Sequence, residues 1–426
     1  MSVVSAGFSD QGPIAGGQPT RGAGPLLKDR NFLLFFSAFS ISTLGTATVP
    51  VALTFALLST GYPASAVGLV IGAQTAPVVL LMLAGGVLGD RWARRHLMII
   101  SDLLRFCTQA TLAVLLGTGH PSLPVLLGLA ACGGIGTAFY GPAEAGVLPQ
   151  LAGLDRLKRV NSVMNLSASL MAIIGPALGG LLVGFGSASV AIGLDAASYA
   201  VSATCISLVR IAHQSEARRS SLLDDFKLGW GEFNRHRWLQ LITIQQGLLN
   251  LIAFAPFFVL GPTLFASVPD GARTWGVIAS ATGAGGIAGG LVVLRVNVPR
   301  PILVVEIAMA LLATPLVLLA FHAPVILLVV GSGVFGVALA VVNILIQTSL
   351  QESIPNALLS RVTSIYSLAA LGLGPIGFAM SGYAAGIFGA ETILAIGGGT
   401  LLVSVALVSL SSEVQQFRRN QPRFGG

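Results

Sequence analysis

The chain has 426 residues, of which 54 % are hydrophobic and only 9 % charged; glycine alone accounts for 53. An ordinary soluble domain carries about 25 % charged residues, so this chain has too little charge to cover a water-facing surface, and its hydrophobicity excludes a disordered one. What remains is a protein that crosses a membrane several times.

The first 25 residues are polar and rich in Gly, Pro and Ser, without the apolar core and cleavage site of a secretory signal, so the first span is expected to direct insertion. A helix crossing a ~30 Å hydrocarbon core needs about 20 apolar residues. Twelve stretches qualify: 32–59, 66–89, 96–118, 124–146, 161–185, 188–210, 239–265, 275–297, 301–321, 324–347, 362–386 and 390–411. Spans 1, 2, 5, 7, 10 and 11 hold no Asp, Glu, Lys or Arg. Barrel strands, of about 10 residues with alternating polarity, do not fit such runs. The expected fold is an all-α membrane protein of twelve transmembrane helices. Cys107, Cys132 and Cys205 fall inside spans with no disulfide or metal-ligand spacing, and are expected to be small packing residues.

Twelve spans put both termini on one side. Nearly all of the 23 Lys and Arg then fall on that side: in the N-terminal tail, the 2–3, 4–5, 8–9 and 10–11 loops, the 6–7 connection and the C-terminal tail. Arg273 in an outer loop and Arg105 inside span 3 stand apart. The positive-inside rule therefore places both termini in the cytoplasm. The net charge of +7 follows from this bias, and no basic face with interleaved aromatics points to nucleic acid.

The longest of these connections, 211–237, separates six spans from six. Within it, 222–238 has apolar residues at Leu222, Leu223, Phe226, Trp230 and Phe233, the spacing of an amphipathic helix lying on the inner membrane surface. The expected division is a tail at 1–30, a six-helix bundle at 31–210, the linker at 211–237, a second bundle at 238–412 and a tail at 413–426. The halves echo one another. Gly86, Arg91 and Asp102 recur as Gly290, Arg295 and Glu306; Leu157, Arg159, Val160, Ser162 and Leu166 recur as Leu359, Arg361, Val362, Ser364 and Leu368; Gly175-Pro176 is echoed by Gly374-Pro375. Duplicated six-helix halves are the architecture of rocking carriers with a site between the halves.

The 2–3 loop, Gly86-Val87-Leu88-Gly89-Asp90-Arg91-Trp92-Ala93-Arg94-Arg95, resembles the signature loop of the major facilitator superfamily, with Ala93 in place of its second glycine. The resemblance implies a charged gate at the cytoplasmic mouth. Gly86, Asp90, Arg91, Arg94 and Arg95 would act there with Glu144 at the end of span 4, and Arg295 with Glu352 in the second half. Gly175-Pro176-Ala177-Leu178-Gly179-Gly180 in span 5 resembles the superfamily's antiporter motif, although Met171 and Ser162 replace two earlier glycines. Pro176 removes a helix hydrogen bond and the glycines open a groove, so a bent, closely packed helix is expected to seal the cavity. Ser101-Asp102-Leu103-Leu104-Arg105, Tyr140-Gly141-Pro142-Ala143 and Leu194-Asp195-Ala196-Ala197-Ser198-Tyr199 look like the drug:proton antiporter branch that includes macrolide and siderophore exporters. Two departures stand out. Span 1 reads Leu44-Gly45-Thr46 where an acid is expected after the glycine, and span 4 lacks the branch's arginine.

Ionisable groups inside a membrane are costly and mark function by default. Asp102 lies about 10 Å in from the cytoplasmic end of span 3, with Arg105 on its face as a self-neutralising partner. Asp195, roughly 12 Å from the outer end of span 6, has no evident basic partner and is favoured as a proton or cation site, with hydrogen-bonded packing as the alternative; Asp102 and Glu306 are the other proton-coupling candidates. Glu306 mirrors Asp102. Polar groups suited to line an otherwise apolar cavity are Thr46, Asn165, Gln245, Gln246, Asn250, Asn343, Gln347 and Tyr366.

The resemblance implies a secondary transporter, expected as a monomer in the lipid bilayer of a bacterial cytoplasmic (inner) membrane. It would expel small amphiphilic, drug-like or siderophore-like molecules in exchange for protons. Importer, uniporter or lipid carrier is the alternative on the same fold. No cofactor or metal is expected: the proton gradient would supply the energy. With no phosphate loop, no His-Cys-Asp cluster, and Asp224-Asp225 alone as an acidic pair, neither an enzyme nor direct ATP drive fits.

Overall fold

In the computed structural model, residues 29–417 are described apart from 92, 120, 153–155, 186–187, 211–221 and 297; side chains at 82–91, 152, 158, 222–225 and 356–357 are not. Among the described residues there is no strand, and twelve helical stretches are long and apolar enough to cross a membrane.

The first six crossings are single helices: α1 (Arg30–Ser59), α2 (Ala64–Arg91), α3 (Arg94–Thr118), α4 (Leu123–Ala152), α5 (Leu157–Gly184) and α6 (Ala188–Leu208). Asp29 caps α1 by accepting from the amides of Asn31 and Phe32. The short α7 (Leu222–Arg235) follows. The seventh crossing is α8 (Arg237–Leu249), a π-helical turn at Asn250–Phe254, and α9 (Ala255–Leu264). The eighth is α10 (Gly271–Arg295), the ninth α11 (Pro301–Leu311) with α12 (Thr314–Ala320), and the tenth α13 (Val325–Ser353). The eleventh is α14 (Asn356–Gly372) with α15 (Gly374–Phe388), the twelfth α16 (Ala390–Ser409), and α17 (Ser412–Gln416) ends the described chain.

Three crossings expected as unbroken helices are thus interrupted, all in the second half. A proline sits just after each break, Pro256, Pro315 and Pro375, and cannot donate to the preceding turn. Asn250 repairs the first interruption, donating to the carbonyls of Gln246 at 3.0 Å and Ala370 at 3.1 Å.

Helices α1–α6 pack on one another, as do α8–α16; the two groups meet through α5 on α10 and α2 on α15. Small residues make those seams. A Cβ on Gly180 would lie 3.1 Å from the Cα of Gly276, and one on Gly72 would lie 2.9 Å from the carbonyl oxygen of Pro375. Backbone thus lies on backbone, the close approach that dispersion rewards in lipid. Both seams lie in the helix halves away from the basic loops. Toward the basic end Asn165, seven residues before Ala172 on α5, is exposed; Asn343 and Gln347 on α13 are exposed as well.

The amphipathic helix forms as α7, but its burial departs from the expected stripe. Gly229, Glu232 and Phe233 are buried; a Cβ on Gly229 would lie 2.9 Å from Cβ of Arg361 on α14. Phe226 and Trp230 are exposed and stack at 6.0 Å. A membrane-surface helix presents such aromatics to the lipid interface.

Candidate functional site

A polar stripe runs through the interior of the first bundle. On α3 the buried positions include Ser101, Asp102, Arg105, Thr108 and Gln109, spaced three and four apart and so on one face. On α6 they include Asp195, Ser198, Tyr199 and Ser202. The two faces meet, with Tyr140 of α4 and Thr46 of α1 at their edges.

Arg105 is the centre. It forms an ion pair with Asp102, and its guanidinium lies between two rings, 4.2 Å from the centroid of Tyr140 and 4.3 Å from that of Tyr199. A guanidinium is flat enough to stack on both faces and still donate in its plane. Gly136 makes room, since a Cβ there would lie 2.9 Å from Cγ of Arg105. Ser202 donates to the second oxygen of Asp102 at 2.7 Å. The three stretches that resemble the antiporter branch, scattered over spans 3, 4 and 6, therefore converge on one buried cation.

Asp195 is fully buried about two helical turns along α6 from Ser202. Gln109 donates to its Oδ2 at 3.0 Å; its Oδ1 has no hydrogen-bond partner. The expected isolation from basic side chains holds at hydrogen-bond range, yet Asp195 is not free of partners. A Cβ on Gly45 would lie 2.7 Å from Oδ1, so the glycine in α1 is what admits this carboxylate. Thr46, standing where an acid is expected, shares a hydrogen bond of 2.8 Å with the Tyr199 hydroxyl. Gln109 and Ser202 were absent from the expected site residues; the polar spacing of span 3 is the signal that marks Gln109.

The second bundle repeats the plan without the cation. Glu306 on α11 is fully buried, and Gln245 on α8 donates to its Oε2 at 3.0 Å and to Ser404 on α16 at 3.4 Å. The position matching Arg105 is the buried Met309.

The cavity candidates divide. Thr46, Asn165, Asn343 and Gln347 are exposed. Gln245 and Gln246 are buried: Gln246 donates to the hydroxyl of the mostly buried Tyr366 at 3.5 Å, and Asn250 donates to the carbonyl of Gln246 at 3.0 Å. Buried amides in an apolar interior need partners on neighbouring helices. Cys107 and Cys132 are also exposed, so the expected packing role does not hold for them; inward positions of α3 are taken by the polar stripe.

The gate arginines likewise differ from expectation. Arg94 donates to the carbonyl of Gly146 at 2.6 Å, and Arg95 to those of Ile206, at 3.2 Å, and Ser207. Arg95 thereby satisfies the last-turn carbonyls of α6, which attract cations. The side chains of Gly86, Asp90 and Arg91 lie outside the described residues.

The Gly-Pro motif lies on α1 and α10. A Cβ on Gly175 would lie 2.9 Å from the carbonyl carbon of Ala47 and one on Gly179 2.7 Å from the carbonyl oxygen of Thr48, while Gly276 approaches the carbonyl of Pro176. Gly180→Val is expected to abolish transport with the protein still inserted, by wedging α5 from α10. Normal export by that variant at full expression would show the contact to be dispensable.

A family model described as a transmembrane secretion effector matches residues 22–422. The multidrug efflux pump Tap of Mycolicibacterium fortuitum is 27 % identical over 404 residues, spanning 91 % of this chain and 96 % of that one. The enterobactin exporter EntS of Escherichia coli O1:K1 / APEC is 25 % identical over 397 residues, 91 % of this chain and 92 % of that one. The crystal structure of the nucleoside transporter NupG superposes with a TM-score of 0.72 at 15 % identity, covering 91 % of this chain and 100 % of that one. At that identity the likeness is one of fold.

Proposed function

The chain belongs to the transmembrane secretion effector family of the major facilitator superfamily, and we propose that it exports amphiphilic, drug-like or siderophore-like molecules in exchange for protons across a bacterial cytoplasmic membrane. The basic end faces the cytoplasm, a reading that the distribution of Lys and Arg supports. The bundles touch at the outer end, so this is the state that receives cargo from inside. The carrier works as a monomer, each chain having both halves of its own cavity.

One observation carries the coupling: of the buried carboxylates on α3 and α6, only Asp102 is paired with the buried cation, Arg105. Asp102 takes the ion pair; Asp195 keeps an amide and one unsatisfied oxygen. A buried carboxylate without a cation in contact is relieved of its charge by taking up a proton. Asp195 is the acid nearer the outer end of its helix and takes that proton from outside. Its later loss to the cytoplasm leaves a carboxylate that competes with Asp102 for Arg105 across the ring of Tyr199. That competition draws α3 and α6 into a second arrangement, and the carrier alternates between the two.

The test is drug susceptibility and accumulation in cells that express or lack the protein, with pH recorded in inverted vesicles as cargo is added. Cargo-dependent proton release from the vesicle lumen supports antiport. Export that continues after the proton gradient is collapsed would overturn it, and net cargo uptake by cells would make the protein an importer.

A further inference from the structure

Among the buried oxygens of the second bundle without a hydrogen-bond partner are Oε1 of Glu306 and Oε1 of Gln245. They belong to the two side chains already joined by the 3.0 Å bond from Gln245 Nε2 to Glu306 Oε2. Glu306 is wholly inaccessible and Gln245 is 2 % exposed, so neither oxygen reaches bulk water. A buried acceptor left without a donor costs about 1–3 kcal/mol, more if charged.

Neighbouring charge does not resolve this. Glu306 is the only ionisable residue of α11, which follows Arg300. The helices packed on α11, and α8 that supplies Gln245, carry their charged groups at their ends: Arg237 on α8, Glu352 on α13, Glu391 on α16 and Glu413 on α17, the last within 3.8 Å of Arg237. None of these helices has a lysine, histidine or tyrosine. The first bundle solves the equivalent problem with Arg105, and here that place holds Met309.

A carboxylic acid and a primary amide are complementary. The amide N–H donates to the acid's carbonyl oxygen while the acid's O–H donates to the amide oxygen, closing a ring through two hydrogen bonds. One of the two is present, and the two orphaned oxygens are the ends of the other. We propose that Glu306 is a proton-binding site, holding a proton on Oε1 that it donates to Gln245 Oε1, and that this acid–amide pair ties α8 to α11 in the inward-facing state. Loss of the proton sets a carboxylate against the amide oxygen, and the tie opens. The π-turn at Asn250–Phe254 follows Gln245 by five residues and gives α8 a point at which to move. This site stands apart from Asp195 and does not depend on proton antiport by the carrier.

Infrared difference spectroscopy on the purified full-length protein across a pH series tests it. A protonated-carboxyl band is expected that is lost in Glu306→Gln and kept in Asp195→Asn. Glutamine mimics the protonated acid, so Glu306→Gln is expected to fold with wild-type thermal stability. In Gln245→Leu the band should shift to that of a carboxyl without the amide partner. Hydrogen exchange of the α8 amides should rise over the pH range in which the band disappears, in the wild type and not in Glu306→Gln. A carboxyl spectrum identical in wild type and Glu306→Gln would overturn the proposal, because Glu306 would then be ionised throughout. So would a melting temperature raised by sodium in place of potassium in the wild type alone, which marks a cation site. Failure of proton coupling in transport leaves the band untouched, so the two readings fail separately.

Discussion

Asp195→Asn is expected to abolish proton-driven export while leaving the protein folded and in the membrane. Asparagine keeps the shape of the side chain and an oxygen to accept from Gln109, and it fills the space beside Gly45 equally well. The stability cost is therefore small, about the 0.5–1.5 kcal/mol of one altered hydrogen bond. What the variant lacks is a group that can lose its charge and regain it. Wild-type export should strengthen as the outside is acidified, because the protonated form is then more populated; the variant's residual transport should not respond. Cargo exchange down its own gradient, which needs no net proton movement, should survive. Wild-type export with an unaltered pH profile in this variant would remove Asp195 from the coupling mechanism and leave Asp102 as the remaining acid of the cluster.

Arg105→Met should have the largest effect on stability of any single change in the membrane interior. It installs in the first bundle the residue that the second bundle has at the matching place. Asp102 then stays buried with only Ser202 for a partner, and two ring contacts are lost. Removing one member of a buried ion pair costs about 3–5 kcal/mol, and each desolvated ring–cation contact adds on the order of 1 kcal/mol. The expected readout is a steep fall in detergent-solubilised monomer and in melting temperature. Arg105→Lys should recover little, because an ammonium on a flexible stem cannot stack between two rings while pairing with Asp102. The double variant Asp102→Asn with Arg105→Met removes both charges and should regain much of the stability without regaining transport. Strict additivity of the two single effects would show that the pair is not energetically coupled.

The second crossing pattern shows how far local signals reach. Twelve spans, the basic end and the duplication were all legible, because a bilayer imposes a length and a polarity on each helix separately. The breaks in the seventh, ninth and eleventh crossings were harder to read. Pro256, Pro315 and Pro375 interrupt their helices, whereas Pro50, Pro77, Pro142 and Pro176 sit inside continuous ones. Whether a freed carbonyl finds another donor depends on the neighbouring helix, which no single span specifies.

The amino-acid sequence by itself determined that the protein spans a membrane twelve times and resembles the secondary carriers, and it marked Asp102, Arg105, Asp195 and Glu306 as ionisable groups that lipid would not tolerate without a purpose. Only the tertiary structure decided how they are grouped. Tyr140 and Tyr199 are far apart in the chain and both meet one guanidinium; Gln109 reaches Asp195 from another helix; Gln245, a cavity candidate from its span alone, is turned inward onto Glu306. The reason is physical. Burial of a polar group is favourable only with a partner in hydrogen-bond reach, and in a helical membrane protein that partner is set by how helices pack, through the glycines that let them approach.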